Sequence, residues 1–296
     1  MTSSRRAVLV LTAVNLLWGS TFFLTKRSLE ALGTGWAPWL ALRFLAGAAA
    51  TLLVFRPRLE ALRSGALWRD AFWIALPTSA GFALQSAGIP GVSPATSAFL
   101  TSLYVPFTPL AAWLLFRTRP SRSLAVGLVV AGAGLWLITA PDGVGRLGRG
   151  ELLSAACGAA FAVQIVLVGR LAPRHDAGAL TSAMALIQAL GFLLLALCGD
   201  GLPVSRALGD PWAWGPLLYM GVVVNVFAFW AMNRFQHRLD ASHAAVVYAL
   251  EPLFAAAFSA LWAGERFGPI ALLGAVLVVG ANLWTGRTQA AVEPLP

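Results

Sequence analysis

The chain has 296 residues, 58% of them hydrophobic and 11% charged, and a formal net charge of +9. A soluble domain needs far more surface charge than that, which excludes one or two ordinary globular domains. The 21 basic residues form no run or stripe, so the positive balance does not call for a nucleic-acid partner.

Ten apolar runs cover almost the whole chain: 7–24, 36–55, 71–89, 95–116, 124–140, 152–168, 179–198, 212–232, 244–263 and 269–284. Each is near the roughly 20 residues that cross a bilayer as a helix, so the fold class expected is all-α integral membrane with ten transmembrane helices. The first run follows Arg5 and Arg6 in the manner of a signal peptide. It stays apolar to Leu24 without a small-residue cleavage site, and is read as a retained helix. The connections are short, which makes neighbouring helices antiparallel. The longest, 56–70, holds Pro57, Gly65 and Trp68 and predicts an interfacial turn or short helix. Sorted by loop, fourteen basic residues fall on the side of the N-terminus and six on the other, with Arg43 inside a span. That bias predicts both termini in the cytoplasm. Cys157 and Cys198 fall inside spans and read as small apolar packing groups.

Divided near Arg149, the chain becomes two five-span units, 1–148 and 149–296. At an offset of 146, Ala95, Ala98, Pro106, Ala111 and Leu115 meet Ala241, Ala244, Pro252, Ala257 and Leu261; at 148, Val130, Gly132, Ala133, Leu135 and Trp136 meet Val278, Gly280, Ala281, Leu283 and Trp284. Because five is odd, the second copy crosses the membrane upside down, an arrangement that places a substrate site between the halves at the midplane. A proline within a span frees a backbone carbonyl that neighbours must satisfy. Pro106, Pro109 and Pro252 therefore mark helices facing the protein interior. Pro106 and Pro252 are candidate hinges, with a plain packing kink as the competing account.

Glu251 lies midway along the ninth run, where a carboxylate should face the interior of the bundle. It can pair with a polar group for structure, stay protonated, or bind a substrate amine or a coupling proton. Arg43 reads first as an anchor or ion pair and second as a group recognising a substrate carboxylate. Lys26 and Arg27 read as interfacial anchors. Polar and aromatic side chains share helix faces: Asn15, Trp18 and Thr21; Phe82 and Gln85; Thr101 and Tyr104; Asn225, Phe229 and Trp230. Gln164 is the counterpart of Thr21 at an offset of 143, and His243, Tyr248 and Glu251 are available in the ninth run. Aromatic walls with a few fixed polar groups suit a small amphipathic molecule. For each aromatic taken singly, packing or lipid contact competes with that role. Gly127, Ala131 and Gly134, with Gly274, Val278 and Ala281, predict close helix approach in the fifth and tenth spans, or a homodimer contact.

Several stretches together carry a family resemblance. They are Trp18-Gly19-Ser20-Thr21 with Lys26, Arg43-Phe44, the runs 84–89 and 96–102, then 244–252 ending in Glu251-Pro252, and Gly264-Glu265-Arg266 before a Gly-rich last span. The chain resembles the EamA-type permeases of the drug/metabolite transporter superfamily, and among them the aromatic amino-acid exporters of the YddG kind. That resemblance implies two inverted five-helix repeats around a central cavity lined by spans 1, 3, 4, 6, 8 and 9, in proteins that export amino acids, other metabolites and toxic compounds. The first half departs from the pattern, with Val105-Pro106 and Thr118-Arg119-Pro120 where the second has Glu251-Pro252 and Gly264-Glu265-Arg266.

No Walker sequence is present, and His175, His237 and His243 are too dispersed for a metal cluster, so no enzyme, cofactor or metal is expected. The function expected is secondary export of small amphipathic metabolites, neutral or aromatic amino acids foremost, from a bacterial inner membrane. A drug or quaternary-cation exporter and a channel-like protein are the alternatives. Asn15, Trp18, Thr21, Phe82, Gln85, Thr101, Tyr104, Gln164, Phe229, Trp230, Tyr248 and Glu251 are the expected substrate-binding residues.

Overall fold

A computed structural model describes residues 3–117, 122–139, 148–199, 201–202, 210–239 and 241–290. The described chain is all helical. The first half holds α1 (Ser3–Leu32), α2 (Trp36–Phe55), the single turn α3 (Leu59–Leu62), α4 (Gly65–Gly88), α5 (Pro94–Thr101), α6 (Tyr104–Phe116) and α7 (Arg122–Thr139). The second holds α8 (Arg149–Leu171), α9 (Ala177–Cys198), α10 (Pro211–Leu218), a π-helical stretch Tyr219–Ala228, α11 (Phe229–Phe235), α12 (Ala241–Tyr248), α13 (Glu251–Ala263) and α14 (Pro269–Ala290). The segments Thr118-Arg119-Pro120, Arg146 and Arg206 lie outside the described residues.

Local chemistry sets where the helices start. Ser64, Ser93, Asp176 and Asp210 each accept a backbone N–H of the first turn, filling one of the donors that a helix N-terminus leaves open. The 56–70 connection does contain a short helix, α3, and Trp68 Nε1 donates to the Leu62 carbonyl at 2.7 Å.

Two spans are broken rather than merely kinked. The fourth divides into α5 and α6 at Ser102–Leu103, and the ninth into α12 and α13 at Ala249–Leu250. Both breaks fall just ahead of the matched prolines. A proline lacks the N–H its i−4 carbonyl would accept, so the broken ends need other partners. Pro252 leaves the Tyr248 carbonyl, and the Tyr104 hydroxyl donates to it at 2.6 Å; one residue earlier, the Val247 carbonyl accepts from Asn15 Nδ2 at 2.6 Å. With no water in a bilayer core, such side-chain bonds are what allow the break.

The packing is reciprocal between halves. α2 lies along α9, and α7 along α14; α1 packs on α13 while α8 packs on α6. Two glycines permit close contacts at the breaks. A Cβ on Gly158 of α8 would sit 2.7 Å from the Thr101 carbonyl oxygen, at the first break, and one on Gly19 of α1 would sit 2.7 Å from Phe254 Cβ, beside the second. The small-residue faces of the fifth and tenth spans meet within this one chain: a Cβ on Gly134 would lie 2.7 Å from the Gly274 carbonyl, and Ala131, Val278 and Ala281 are buried nearby.

The surface is apolar in the way a bilayer requires. Leu53, Leu114, Val129, Leu194, Leu261 and Val276 are all exposed, far beyond what a water-soluble monomer tolerates. Among the described residues six stretches are both long and apolar enough to cross a membrane: Arg6–Leu32, Trp36–Phe55, Pro94–Phe116, Arg149–Arg174, Ala177–Cys198 and Pro211–Arg238. The protein is thus multi-pass. α4 is long enough but carries Arg69, Asp70, Thr78, Ser79, Gln85 and Ser86.

Candidate functional site

The two breaks face each other across a cavity in the middle of the bundle. It is lined by Trp18 and Thr21 of α1, Phe82 and Gln85 of α4, Tyr104 of α6, Phe161, Gln164 and Ile165 of α8, Phe229 and Met232 of α11, Tyr248 of α12 and Glu251 of α13. These are spans 1, 3, 4, 6, 8 and 9. Nine of the twelve residues expected from sequence share this lining: Trp18, Thr21, Phe82, Gln85, Tyr104, Gln164, Phe229, Tyr248 and Glu251.

The other three do not line it, each for a local reason. Asn15 lies about one turn below and is spent on the Val247 carbonyl. Thr101 is buried at the end of α5, with its hydroxyl 3.9 Å from Cys157 Sγ. Trp230 follows Phe229 directly, and adjacent residues on a helix point apart; it stacks on Phe55 at 6.3 Å instead. Phe161, Ile165 and Met232 were missed. Phe161 precedes Gln164 by three residues and Ile165 follows Phe161 by four, while Met232 follows Phe229 by three, so extending the Gln164 face back to Phe161 and on from there, and the Phe229 face by one turn, reaches them.

Aromatic rings fill most of the space. Trp18 contacts Phe229 at 6.3 Å and Tyr248 at 5.5 Å between ring centroids; Phe82 contacts Phe161 at 5.3 Å and Phe229 at 6.0 Å, largely edge to face. The free volume is about 40 Å³. That is scarcely more than the ~30 Å³ share of one water in the liquid, and a ligand site needs ~300 Å³ or more. The cavity is therefore closed in this structure, and a solute enters only if these rings move.

Polar groups converge on one wall. Glu251 is buried and makes no ion pair among the described residues; its Oε2 lies 3.2 Å from the Tyr104 hydroxyl, whose single hydrogen serves either this carboxyl or the Tyr248 carbonyl at one time. Tyr248 donates from its hydroxyl to Gln236 Oε1 at 3.1 Å, and Gln236 Nε2 donates to the Ile165 carbonyl at 2.8 Å. Gln164 Nε2 lies 3.4 Å from Met232 Sδ, a weak acceptor, so its amide is available to a ligand. Among the described residues no three His, Cys, Asp or Glu side chains come together to hold a metal.

The two halves are tied elsewhere as well. Asp70, ahead of the third apolar run, is buried and accepts from His175 Nε2 at 2.9 Å, while Arg69 pairs with it at 3.0 Å and Arg174 at 3.8 Å. Burial raises its pKa, but the bonds from His175 and Arg69 outweigh burial and hold the carboxyl below its ordinary value. At the other end, an open vestibule of about 800 Å³ is edged by Lys26, Arg27, Glu30 and Glu265, and Lys26 Nζ donates to the Val92 carbonyl at 2.8 Å.

The model of the EamA-like transporter family matches residues 5–140 and again residues 148–286. The chain belongs to this family. Two relatives are similar to this EamA-like chain. An uncharacterized transporter of Archaeoglobus fulgidus is 24% identical over 273 residues, covering 92% of this chain and 83% of its own. The uncharacterized transporter YwfM of Bacillus subtilis is 27% identical over 168 residues, covering 56% of this chain and 55% of its own. A solved crystal structure shares the fold with a TM-score of 0.70 at 19% identity, over 95% of this chain and 98% of that one. The chain is accordingly a membrane transporter of the EamA type.

Proposed function

We propose that this transporter exports small amphipathic metabolites, foremost neutral and aromatic amino acids, by alternating access between two inverted five-helix repeats in a bacterial inner membrane. The observation carrying the reading is the closed, aromatic-walled cavity at the meeting of the two broken spans, with Glu251, Gln85, Gln164 and Thr21 set into it. Apolar walls accept a side chain, and the few polar groups fix one end of the molecule. Ten spans with both termini cytoplasmic are favoured by the basic-residue bias, and inversion by the reciprocal packing of α1 on α13 and α8 on α6. The breaks at Pro106 and Pro252 supply hinges, because a helix already interrupted bends without losing further backbone bonds.

A second reading has its own support. Glu251 has no cationic partner among the described residues and stands among Trp18, Tyr104 and Tyr248, a combination that suits an organic cation. Uptake into liposomes of a labelled amino-acid panel against a cationic dye, with and without a pH gradient, separates the two. Saturable amino-acid uptake with counterflow supports the proposal. Uptake of the dye alone overturns it in favour of drug export, and non-saturating flux in favour of a channel. Glu251→Gln should fold yet change the pH dependence of transport, and an unchanged profile removes Glu251 as a proton site.

A further inference from the structure

Arg43 lies in the middle of α2 and is 1% exposed. Neither its Nε nor its Nη2 has a hydrogen-bond partner, and among the described residues no carboxylate comes within ion-pair distance. The ion pair expected for it is therefore absent from the described structure, and it does not reach an interface as an anchor would. Its guanidinium is packed against rings instead, 4.7 Å from the centroid of Phe82, 5.4 Å from Phe44 and 5.5 Å from Trp39. Ring faces attract the charge, but they do not accept the N–H donors of a guanidinium, which are fixed in a fork suited to a carboxylate.

Unpaired polar groups also lie on the other side of Phe44. Gln188 Nε2 and both side-chain polar atoms of Asn225 are buried without partners. Gln188 and Asn225 line a small second cavity together with Phe44 and Phe229. Asn225 belongs to the π-helical stretch, a conformation that occurs mostly at functional sites. It sits on the same seam as Arg43: one turn along α2, a Cβ on Gly47 would fall 2.2 Å from Asn225 Nδ2. Phe229 lines both cavities, and Phe82 lines the central one while packing on Phe44 at 5.4 Å and Phe229 at 6.0 Å. The Phe82 ring, with Phe229 packed on it, thus stands between the aromatic cavity and a buried cation that has no counter-charge among the described residues.

We infer that Arg43 is the recognition group for a carboxylate on the transported molecule, reached when Phe82 and Phe229 swing aside, with Asn225 and Gln188 donating neutral hydrogen bonds beside it. This rests on the proposed export of amphipathic metabolites and narrows it to carboxylate-bearing ones. A buried cation that lacks an anion at rest gains most from a solute that brings one. Glu251 on the opposing half is the complementary partner for an amine. A molecule carrying both charges on an apolar body would take its carboxylate from the first repeat and its ammonium from the second.

The test uses the full-length protein in liposomes and three matched probes: phenylalanine, phenethylamine without the carboxylate, and 3-phenylpropionate without the amine. Arg43→Gln should raise KM for phenylalanine and 3-phenylpropionate by about 10- to 100-fold and leave phenethylamine within about 3-fold. Arg43→Lys, which keeps the charge and loses the fork, should show the same selectivity to a smaller degree, and decides the matter if the Gln variant does not fold. 3-Phenylpropionate should raise the melting temperature of the unaltered protein and leave that of Arg43→Gln unchanged. Equal shifts for all three probes, or none, overturn the inference, as does a wild type that neither binds nor transports either acid. Loss of the Arg43 effect when chloride is replaced by gluconate would mark a chloride site and overturn it too. Failures separate cleanly. If phenylalanine is carried and Arg43→Gln is indifferent, the exporter reading stands and Arg43 falls. If only 3-phenylpropionate is carried, in an Arg43-dependent way, Arg43 stands and the amino-acid reading falls.

Discussion

The two broken spans have the same backbone plan and opposite chemistry. Each stops just before a proline, restarts as a 13-residue helix, and is approached closely by a first helix of the other half through a glycine. At the matching position, however, the first half places Val105 and the second Glu251. A backbone interruption exposes polar groups in both, and at the second break Tyr104 and Asn15 of the first half cover them. What differs is whether the restart also delivers a charge. The comparison separates a part of the molecule that builds the cavity from a part that selects its contents.

The strongest way to break that equivalence is to fill the glycines. Gly158→Val and Gly19→Val should each destabilise by about 3 kcal/mol or more, since a Cβ at either site meets atoms at 2.7 Å. Thermal melts in detergent check it. Neither obstacle can give way easily: Gly158 faces the Thr101 carbonyl oxygen, and Gly19 faces Phe254 Cβ and, at 2.9 Å, the Ala255 backbone nitrogen. Melting temperatures close to the unaltered protein's for both variants would mean that the breaks do not depend on this contact.

The next test asks how far the second break depends on the first. Tyr104→Phe removes the donor to the Tyr248 carbonyl and the neighbour of Glu251. A buried carbonyl left alone should cost about 1–3 kcal/mol. Asn15→Ala removes the donor to the adjacent Val247 carbonyl and should cost the same order. The double variant should lose more than the sum if the two bonds hold one broken end, which a double-mutant cycle on the melting data measures. Strict additivity would show that the carbonyls are held independently.

Much of this was legible before any coordinates. Runs of apolar residues announce helices, a shared proline announces a shared interruption, and polar residues three apart announce a face. Trp18 and Thr21, or Phe82 and Gln85, reach the cavity because helical periodicity alone orients them. Other features depend on what lies across a helix interface. Asn15 has the same spacing as Trp18 but is diverted by a carbonyl that exists only once the ninth span breaks. Arg43 reads from sequence as an anchor or ion pair, or else as a group for a substrate carboxylate, and whether an acid stands opposite a mid-span arginine is a property of packing rather than of spacing. The π-helical register of Tyr219–Ala228, which sets Asn225 beside Gly47, has no periodic signature, since its residues are as apolar as those of an ordinary span.

The smallest expected effect lies outside the breaks, where Asp70 ties α4 to the turn after α8 through His175. Its carboxyl is held below the ordinary carboxylate pKa by His175 and Arg69 against the opposing pull of burial. A depressed folded pKa means stabilisation that is complete above the ordinary value, about 4, and is lost as pH falls through the lower folded value. Melting temperature should therefore hold down to about pH 4 and fall below it, and Asp70→Asn should flatten that acid limb while lowering the plateau slightly. His175→Ala should flatten it partly, since Arg69 still faces the carboxylate. This contact joins the halves without entering either break, so Asp70→Asn should leave the selectivity between phenylalanine and phenethylamine unchanged. A change in selectivity would show that the substrate preference is not confined to the groups around the two cavities, and that the closure of this end of the bundle contributes to it.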